Sequence, residues 1–167
     1  TFTVNPTAQV TQPTSQAVCK GGQTSLVSFA TTNSGGTTTY SWTNNTTSIG
    51  LTASGAGNIP AFATINDGTA PVVATIIVTP TFSNGSVNCT GPTQTFTFTV
   101  NPTAQVTQPD SQVVCKGGQT SLVSFATTNS GGTTTYSWTN NTPSIGLAAS
   151  GSGNIPAFTT TNNGTAP

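Results

Sequence analysis

Few side chains in this 167-residue chain could do chemistry beyond hydrogen bonding: Lys20, Lys116, Asp67, Asp110 and the three cysteines Cys19, Cys89 and Cys115. Histidine is absent, and the two aspartates are the whole acidic complement. General acid–base catalysis needs a positioned titratable group, usually tuned by a second one. Two isolated carboxylates in different sequence contexts do not supply that, so no enzyme activity and no catalytic residue is expected. Calcium sites in surface modules use several carboxylates, and zinc sites use Cys and His clusters. Neither pattern is present, and no metal site or cofactor is expected. A lysine beside an Asn or Asp could form an isopeptide staple. That reaction also needs a catalytic acid, and Lys20 reads instead as a turn lysine beside Gly21 and Gly22.

The cysteines become informative once the chain is seen to repeat. Thr1–Val10 returns as Thr97–Val106, 96 residues on, and the same offset relates Cys19 to Cys115, Trp42 to Trp138 and Ile59 to Ile155. Over 71 aligned positions the two copies differ at eight. Asp67 corresponds to Asn163 and Asp110 to Thr14, so neither acid recurs. The period divides the chain into residues 1–5, the closing strand of a preceding repeat, residues 6–101, a complete repeat, and residues 102–167, a second repeat without its last strands. Cys19 opens the complete repeat and Cys89 lies just before its last strand. A Cys19–Cys89 disulfide is expected, with Cys115 paired to a counterpart of Cys89 beyond residue 167. Closing a loop of that length is worth about 4 kcal/mol by chain entropy, and it places the chain in an oxidising compartment.

The elements that would position these residues read as strands. Charged residues are 2% of the chain, against about 25% in ordinary globular domains. Threonine, serine, asparagine and glycine make up the polar surface. Without a basic patch, nucleic-acid binding is not expected, and no apolar run approaches the ~20 residues of a membrane-spanning helix. Helical periodicity is lacking, whereas short alternating runs of Val, Ile, Thr, Phe, Tyr and Trp recur. Strands are expected at Thr1–Val4, Ala8–Thr11, Gln16–Cys19, Gln23–Phe29, Thr37–Trp42, Ala61–Ile65, Val72–Val78 and Thr95–Val100. Turns fall at Lys20–Gly22, Asn33–Gly36, Asp67–Gly68 and Asn84–Gly85. Val72–Val78 is apolar almost throughout and reads as a central, well-buried strand. Tyr40, Trp42, Phe96 and Phe98, with the second-copy Tyr136 and Trp138, alternate onto inner faces as core anchors. Asn44–Pro60 reads as loop. About seven strands with turns every ~10 residues fit an all-β, immunoglobulin-like β-sandwich.

The motif Tyr40-Ser41-Trp42-Thr43, with Val18-Cys19, Asn44-Asn45-Thr46-Thr47-Ser48-Ile49-Gly50-Leu51, Gly57-Asn58-Ile59-Pro60-Ala61-Phe62 and Thr97-Phe98-Thr99-Val100-Asn101-Pro102, resembles the PKD-like repeats of giant secreted surface proteins and gliding adhesins of Bacteroidetes-type bacteria. The resemblance covers the whole repeat. Where ordinary PKD domains carry an acidic Phe-Gly-Asp-Gly turn, this chain has Thr43-Asn44-Asn45. The resemblance implies a β-sandwich, export to the cell surface, and adhesion or filament building.

Two functional expectations follow. The first is a structural repeat of a long extracellular filament or adhesin stalk, giving reach and stiffness through a tandem rod. Its partners would be neighbouring repeats of the same chain and laterally associated copies of the filament. The second is a repeated adhesion module for glycan or another surface ligand. Asn44 and Asn45, with their copies Asn140 and Asn141, would carry that contact on the loops Thr43–Pro60 and Thr139–Pro156.

Overall fold

A computed structural model describes residues 1–166; Pro167 lies outside the described residues. The structure is nearly all β. The chain divides into two compact units, Thr1–Thr103 and Ala104–Pro167. Thr1–Asn5, expected to close a preceding repeat, counts with the first unit.

The first unit holds six strands: β1 (Gln16–Cys19), β2 (Thr37–Asn44), β3 (Ser54–Ala56), β4 (Val72–Asn84), β5 (Val87–Thr90) and β6 (Gln94–Asn101). They form one sheet in the order β1-β6-β4-β2-β3, with β5 also paired to β4. Only β1 and β6 run parallel, with Gln16 beside Phe98 and Cys19 beside Asn101. The long β4 is the hub. It pairs antiparallel with β2 from Ile76 to Ser83, with β6 from Val72 to Val78, and with β5 at its far end. Asn84–Gly85 gives the expected hairpin, with Asn84 opposite Val87. Gly85 takes φ 64 at the first loop position, where a II′ turn needs a positive φ.

Alternation decides what is buried. Ala74, Ile76, Val78, Phe96, Phe98, Val100 and Trp42 line one sheet face. Val10, Val27, Phe29, Ile49, Leu51 and Ile59 complete the core from outside the sheet. Val27 and Phe29 belong to the expected strand Gln23–Phe29, which meets Ile59 and the expected strand Ala61–Ile65 only through the isolated bridges Val27–Ile59 and Gln23–Ala63. Side-chain hydrogen bonds replace the missing ladder. Asn58 Oδ1 accepts from Phe29 N at 2.9 Å, and Thr24 Oγ1 accepts from Phe62 N at 3.1 Å. Ala8–Thr11 likewise forms no strand: its Gln9 N–H goes to Asn33 Oδ1 at 2.7 Å and its Thr11 N–H to the Ala30 carbonyl at 2.8 Å. Hydroxyl and amide side chains compete with ladders for backbone groups, and this chain is rich in both.

Two further expectations change. Val72–Val78 is central but not buried on both sides, because Val73 and Ile77 are 52% and 41% exposed. The segment after Asn44 is not simply loop. It contains a 3-10 turn at Thr47–Ile49 and the strand β3. Gly55 of β3 lies against the Trp42 ring, where an added Cβ would overlap the indole.

The second unit repeats the covering layer, with bridges Gln119–Thr159 and Val123–Ile155. It also has a two-stranded sheet, β7 (Ser137–Thr139) with β8 (Ser150–Ser152). Its described residues include no counterpart of β4 or β6. None of its described residues is fully buried; Phe125, Tyr136, Trp138, Ile155 and Phe158 are all half-buried.

Phe2 and Phe98 share the local sequence Thr-Phe-Thr-Val, yet Phe2 is 100% exposed and Phe98 1%. Phe98→Ala is therefore expected to cost the first unit about 3–5 kcal/mol, read as lost amide-exchange protection in β4 and β6. Phe2→Ala is expected to stay within about 0.5 kcal/mol. Equal effects would contradict this packing.

Candidate functional site

The charged groups come together as one exposed pair in the first unit. Lys20 Nζ lies 2.6 Å from Asp67 Oδ1, with side chains 39% and 80% exposed. In the second unit Lys116 Nζ donates to Asn163 Oδ1 at 3.4 Å. An amine thus faces a carboxylate in one copy and a carboxamide in the other. Amide formation would need burial and a third, proton-shuttling acid. Asp110 is the only other acid in the chain and has its counterpart at Thr14, away from this pair in the repeat. The contact is an ordinary exposed ion pair, worth about 0–1 kcal/mol. Among the described residues there is no group of three Cys, Asp or Glu side chains that could hold a metal ion.

The polar loop puts its amides to internal use. Asn44 is buried at the end of β2. Its Nδ2 donates to the Leu51 carbonyl at 3.0 Å and lies 3.3 Å from those of Thr46 and Thr52, while its Oδ1 accepts from Thr46 N at 2.9 Å. This amide stands in for a strand partner and folds the chain into the 3-10 turn, which drives Ile49 fully into the core. Asn45 Oδ1 accepts from Thr75 N of β4 at 2.8 Å and from Thr46 Oγ1 at 2.8 Å. Asn140 repeats the Asn44 pattern through the Leu147 carbonyl at 3.0 Å and Thr142 N at 2.9 Å. Asn141 Oδ1 accepts from Thr142 Oγ1 at 3.0 Å. The four asparagines expected to offer a ligand contact each make hydrogen bonds within the protein.

The expected Cys19–Cys89 disulfide is corrected by strand register. Among the described residues all three cysteines are free: Cys19 and Cys115 exposed, Cys89 half-buried. Cys19 stands beside Asn101, just past the level of Val72 and Val100. Cys89 stands opposite Phe82, at the other end of β4. Ten residues of β4 separate those levels, about 33 Å of strand. A disulfide needs Cα atoms within about 7 Å. Proximity of Cys89 to the last strand in sequence was misleading, because Cys89 precedes the start of β6 at Gln94, whereas Cys19 stands beside its end at Asn101.

The aromatic anchors sit in two environments. Trp42, Phe96 and Phe98 are buried, and Tyr40 packs at the core edge with its ring 5.4 Å from that of Phe29. Tyr136 and Trp138 are half-buried. The indole N–H groups of Trp42 and Trp138 have no hydrogen-bond partner among the described residues. Burial holds the Tyr40 hydroxyl above its usual pKa of 10, partly offset by a hydrogen bond with Thr31.

Asn66, not singled out from the sequence, holds as much together as Asn44. It is buried, and its Nδ2 donates to the Val100 carbonyl at 2.7 Å and the Ala70 carbonyl at 2.9 Å. Its Oδ1 accepts from Gly68 N at 3.0 Å. The Asn66-Asp67-Gly68 spacing is the readable signal, an Asx turn closed on a glycine. Comparison with protein-family models and with curated proteins gives no match.

Three outcomes are expected. Asn44→Ala strands the Thr46 N–H and Leu51 carbonyl and lowers first-unit stability by about 1–3 kcal/mol in urea titration. Asp67→Asn, which recreates the second-copy pairing, shifts it by less than about 0.5 kcal/mol. High pH acts against the buried, neutral Tyr40: a raised folded-state pKa adds stability that is intact below pH 10 and lost as pH climbs through the folded value. A phenolate absorbance titration of Tyr136→Phe protein should show Tyr40 ionising above pH 10.

Proposed function

We propose that the chain is part of a tandem array of PKD-like, immunoglobulin-like β-sandwich repeats, forming the stalk of a secreted bacterial surface filament or adhesin. Its work is mechanical: reach and stiffness. The supporting observation is where the two copies differ. All eight differing positions, Thr14, Ala17, Thr47, Thr52, Ala56, Ala63, Ile65 and Asp67 in the first copy, are exposed there. The core residues are unchanged, and so are Asn44, Asn45 and Asn66, the amides that organise its loops. What is kept is the packing and its internal hydrogen bonds. What varies is surface chemistry, including the one carboxylate of the first unit.

Several further features favour this reading over a repeated ligand module. The loop asparagines are already paired with their own backbone. The sheet β1-β6-β4-β2-β3 with its covering layer brings Tyr40 and Trp42 onto the inner face, as a Tyr-x-Trp strand of a sandwich would. A surface of hydroxyls and amides with formal charge +0 puts little repulsion between neighbouring filaments, so lateral bundling is not opposed.

Two measurements test the proposal. Native material should have an intact mass far above 16.7 kDa, and a mass near that value would sink the covalent array. A multivalent display of the chain on a glycan array should show no specific binding. Binding that survives high ionic strength and is abolished by changes in Thr43–Pro60 would move the function to adhesion by ligand.

A further inference from the structure

Residues 1–5 and residues 97–101 carry one sequence, Thr-Phe-Thr-Val-Asn, in opposite situations. The later copy lies within β6, where Phe98 and Val100 are each 1% exposed. The earlier copy forms no strand, and its Phe2 and Val4 are 100% and 91% exposed. A segment that alternates threonine with Phe and Val and buries neither apolar side chain has the pattern of a strand without a sheet.

The first unit shows how this sequence is seated. β1 lies parallel to β6, with Gln16 beside Phe98, Val18 beside Val100 and Cys19 beside Asn101. The Phe98 ring meets that of Phe62 edge to face at 5.3 Å. Asn66 Nδ2 donates to the Val100 carbonyl at 2.7 Å, and Lys20 N donates to the Asn101 carbonyl at 2.8 Å.

The second unit keeps each of those groups. Gln112, Val114 and Cys115 are the copies of Gln16, Val18 and Cys19, and Phe158, Asn162 and Lys116 are the copies of Phe62, Asn66 and Lys20. Gln112, Val114, Lys116, Phe158 and Asn162 line one open groove. Among the described residues, 112–115 pair with no strand and Lys116 N has no backbone partner. Asn162 Nδ2 makes the bond to the Ala166 carbonyl at 3.0 Å, one of the two that Asn66 makes.

The geometry points to strand exchange between copies of this chain: residues 1–5 of one copy lie parallel to residues 112–115 of another, in the register of β6 beside β1. Phe2 stands beside Gln112 and packs on Phe158. Val4 stands beside Val114 and offers its carbonyl to Asn162, and the Asn5 carbonyl takes Lys116 N. A slip of one residue would turn Phe2 and Val4 out to solvent, so alternation holds the register. A segment added to a sheet edge draws affinity from backbone hydrogen bonds and specificity from seats for alternate side chains. A second copy is the occupant because the same groups already hold this same sequence in the first unit. The second unit's described residues include no counterpart of β4, so the added strand is bonded along one edge and the association is reversible. The inference goes beyond the covalent-array reading and involves only residues 1–166.

Cys115 supplies the trap. Residue 5 of the donor would stand beside it at about 5 Å, and a disulfide needs Cα atoms within about 7 Å. Cys19→Ser and Cys89→Ser remove the other thiols, and Asn5→Cys adds one to the donor strand. Oxidation of this full chain with oxidised glutathione should give species of two or more chain masses. Peptide mapping without reduction should join the introduced thiol to Cys115. Adding Phe2→Ser should lower the yield about tenfold or more, and so should an excess of the peptide Thr-Phe-Thr-Val-Asn-Pro. Amide protection in β4 checks that each variant is folded. Sedimentation of the unaltered chain should show a mass that rises with concentration, whereas the Phe2→Ser chain should stay near 16.7 kDa. A bond closed within one chain, or a yield indifferent to both Phe2→Ser and the peptide, would overturn the exchange. So would an unaltered chain that stays at single mass at every concentration. The native mass measurement is separate, so a failed exchange and a failed array are told apart.

Discussion

The first unit depends on the pairing of β4 with β6 and β2. Thirteen consecutive residues, Val72–Asn84, supply ladders to three other strands. Alternation along β4 turns Ala74, Ile76 and Val78 to the core with no exposed surface. β6 places Phe96, Phe98 and Val100 beside them, and the rings of Phe96 and Phe98 meet edge to face at 5.6 Å. Apolar burial of this kind is the main favourable term in folding. Here almost no charge contributes, and the only ion pair of the unit lies exposed at a turn.

The second unit shows what that pairing does by lacking it. Its sequence matches the first at nearly every position up to Pro167, and its covering segments make the same bridges and the same Asx contacts. Yet the counterparts of Trp42 and Ile59, both buried in the first unit, are half-exposed as Trp138 and Ile155. Local hydrogen bonds therefore set the shape of these segments, and the sheet sets their burial. The same division explains why the eight substitutions are tolerated. Each side chain is exposed and outside the sheet core, Thr47, Thr52 and Asp67 lying on the outer side of the amide-held loops.

Side-chain amides hold this fold where ladders are missing. Asn33, Asn44, Asn58 and Asn66 each close a backbone gap, and Thr24 and Thr64 do the same with hydroxyls. A chain with 2% charged residues thus uses neutral polar groups for internal structure as well as for surface. Asparagines that look like exposed recognition groups in sequence also serve the internal structure.

The sequence alone determined the period, the strand class, β1, β2 and β6 to within two residues at either end, the Asn84–Gly85 hairpin, and the inward set Trp42, Phe96 and Phe98. These are local signals: alternation, turn chemistry and self-similarity act over a few residues or by direct comparison of copies. Tertiary structure decided the rest. It alone showed that Gln23–Phe29 and Ala61–Ile65 cover the sheet with bridges and not ladders, and that Asn44 and Asn66 are buried braces. It alone put Cys19 and Cys89 at opposite ends of β4. Sequence order places Cys89 next to β6, but a strand is only about 3.3 Å per residue in one direction. Which end of a long strand a hairpin lands on is set by pairing register, and that register is fixed by a core formed from residues far apart in the chain.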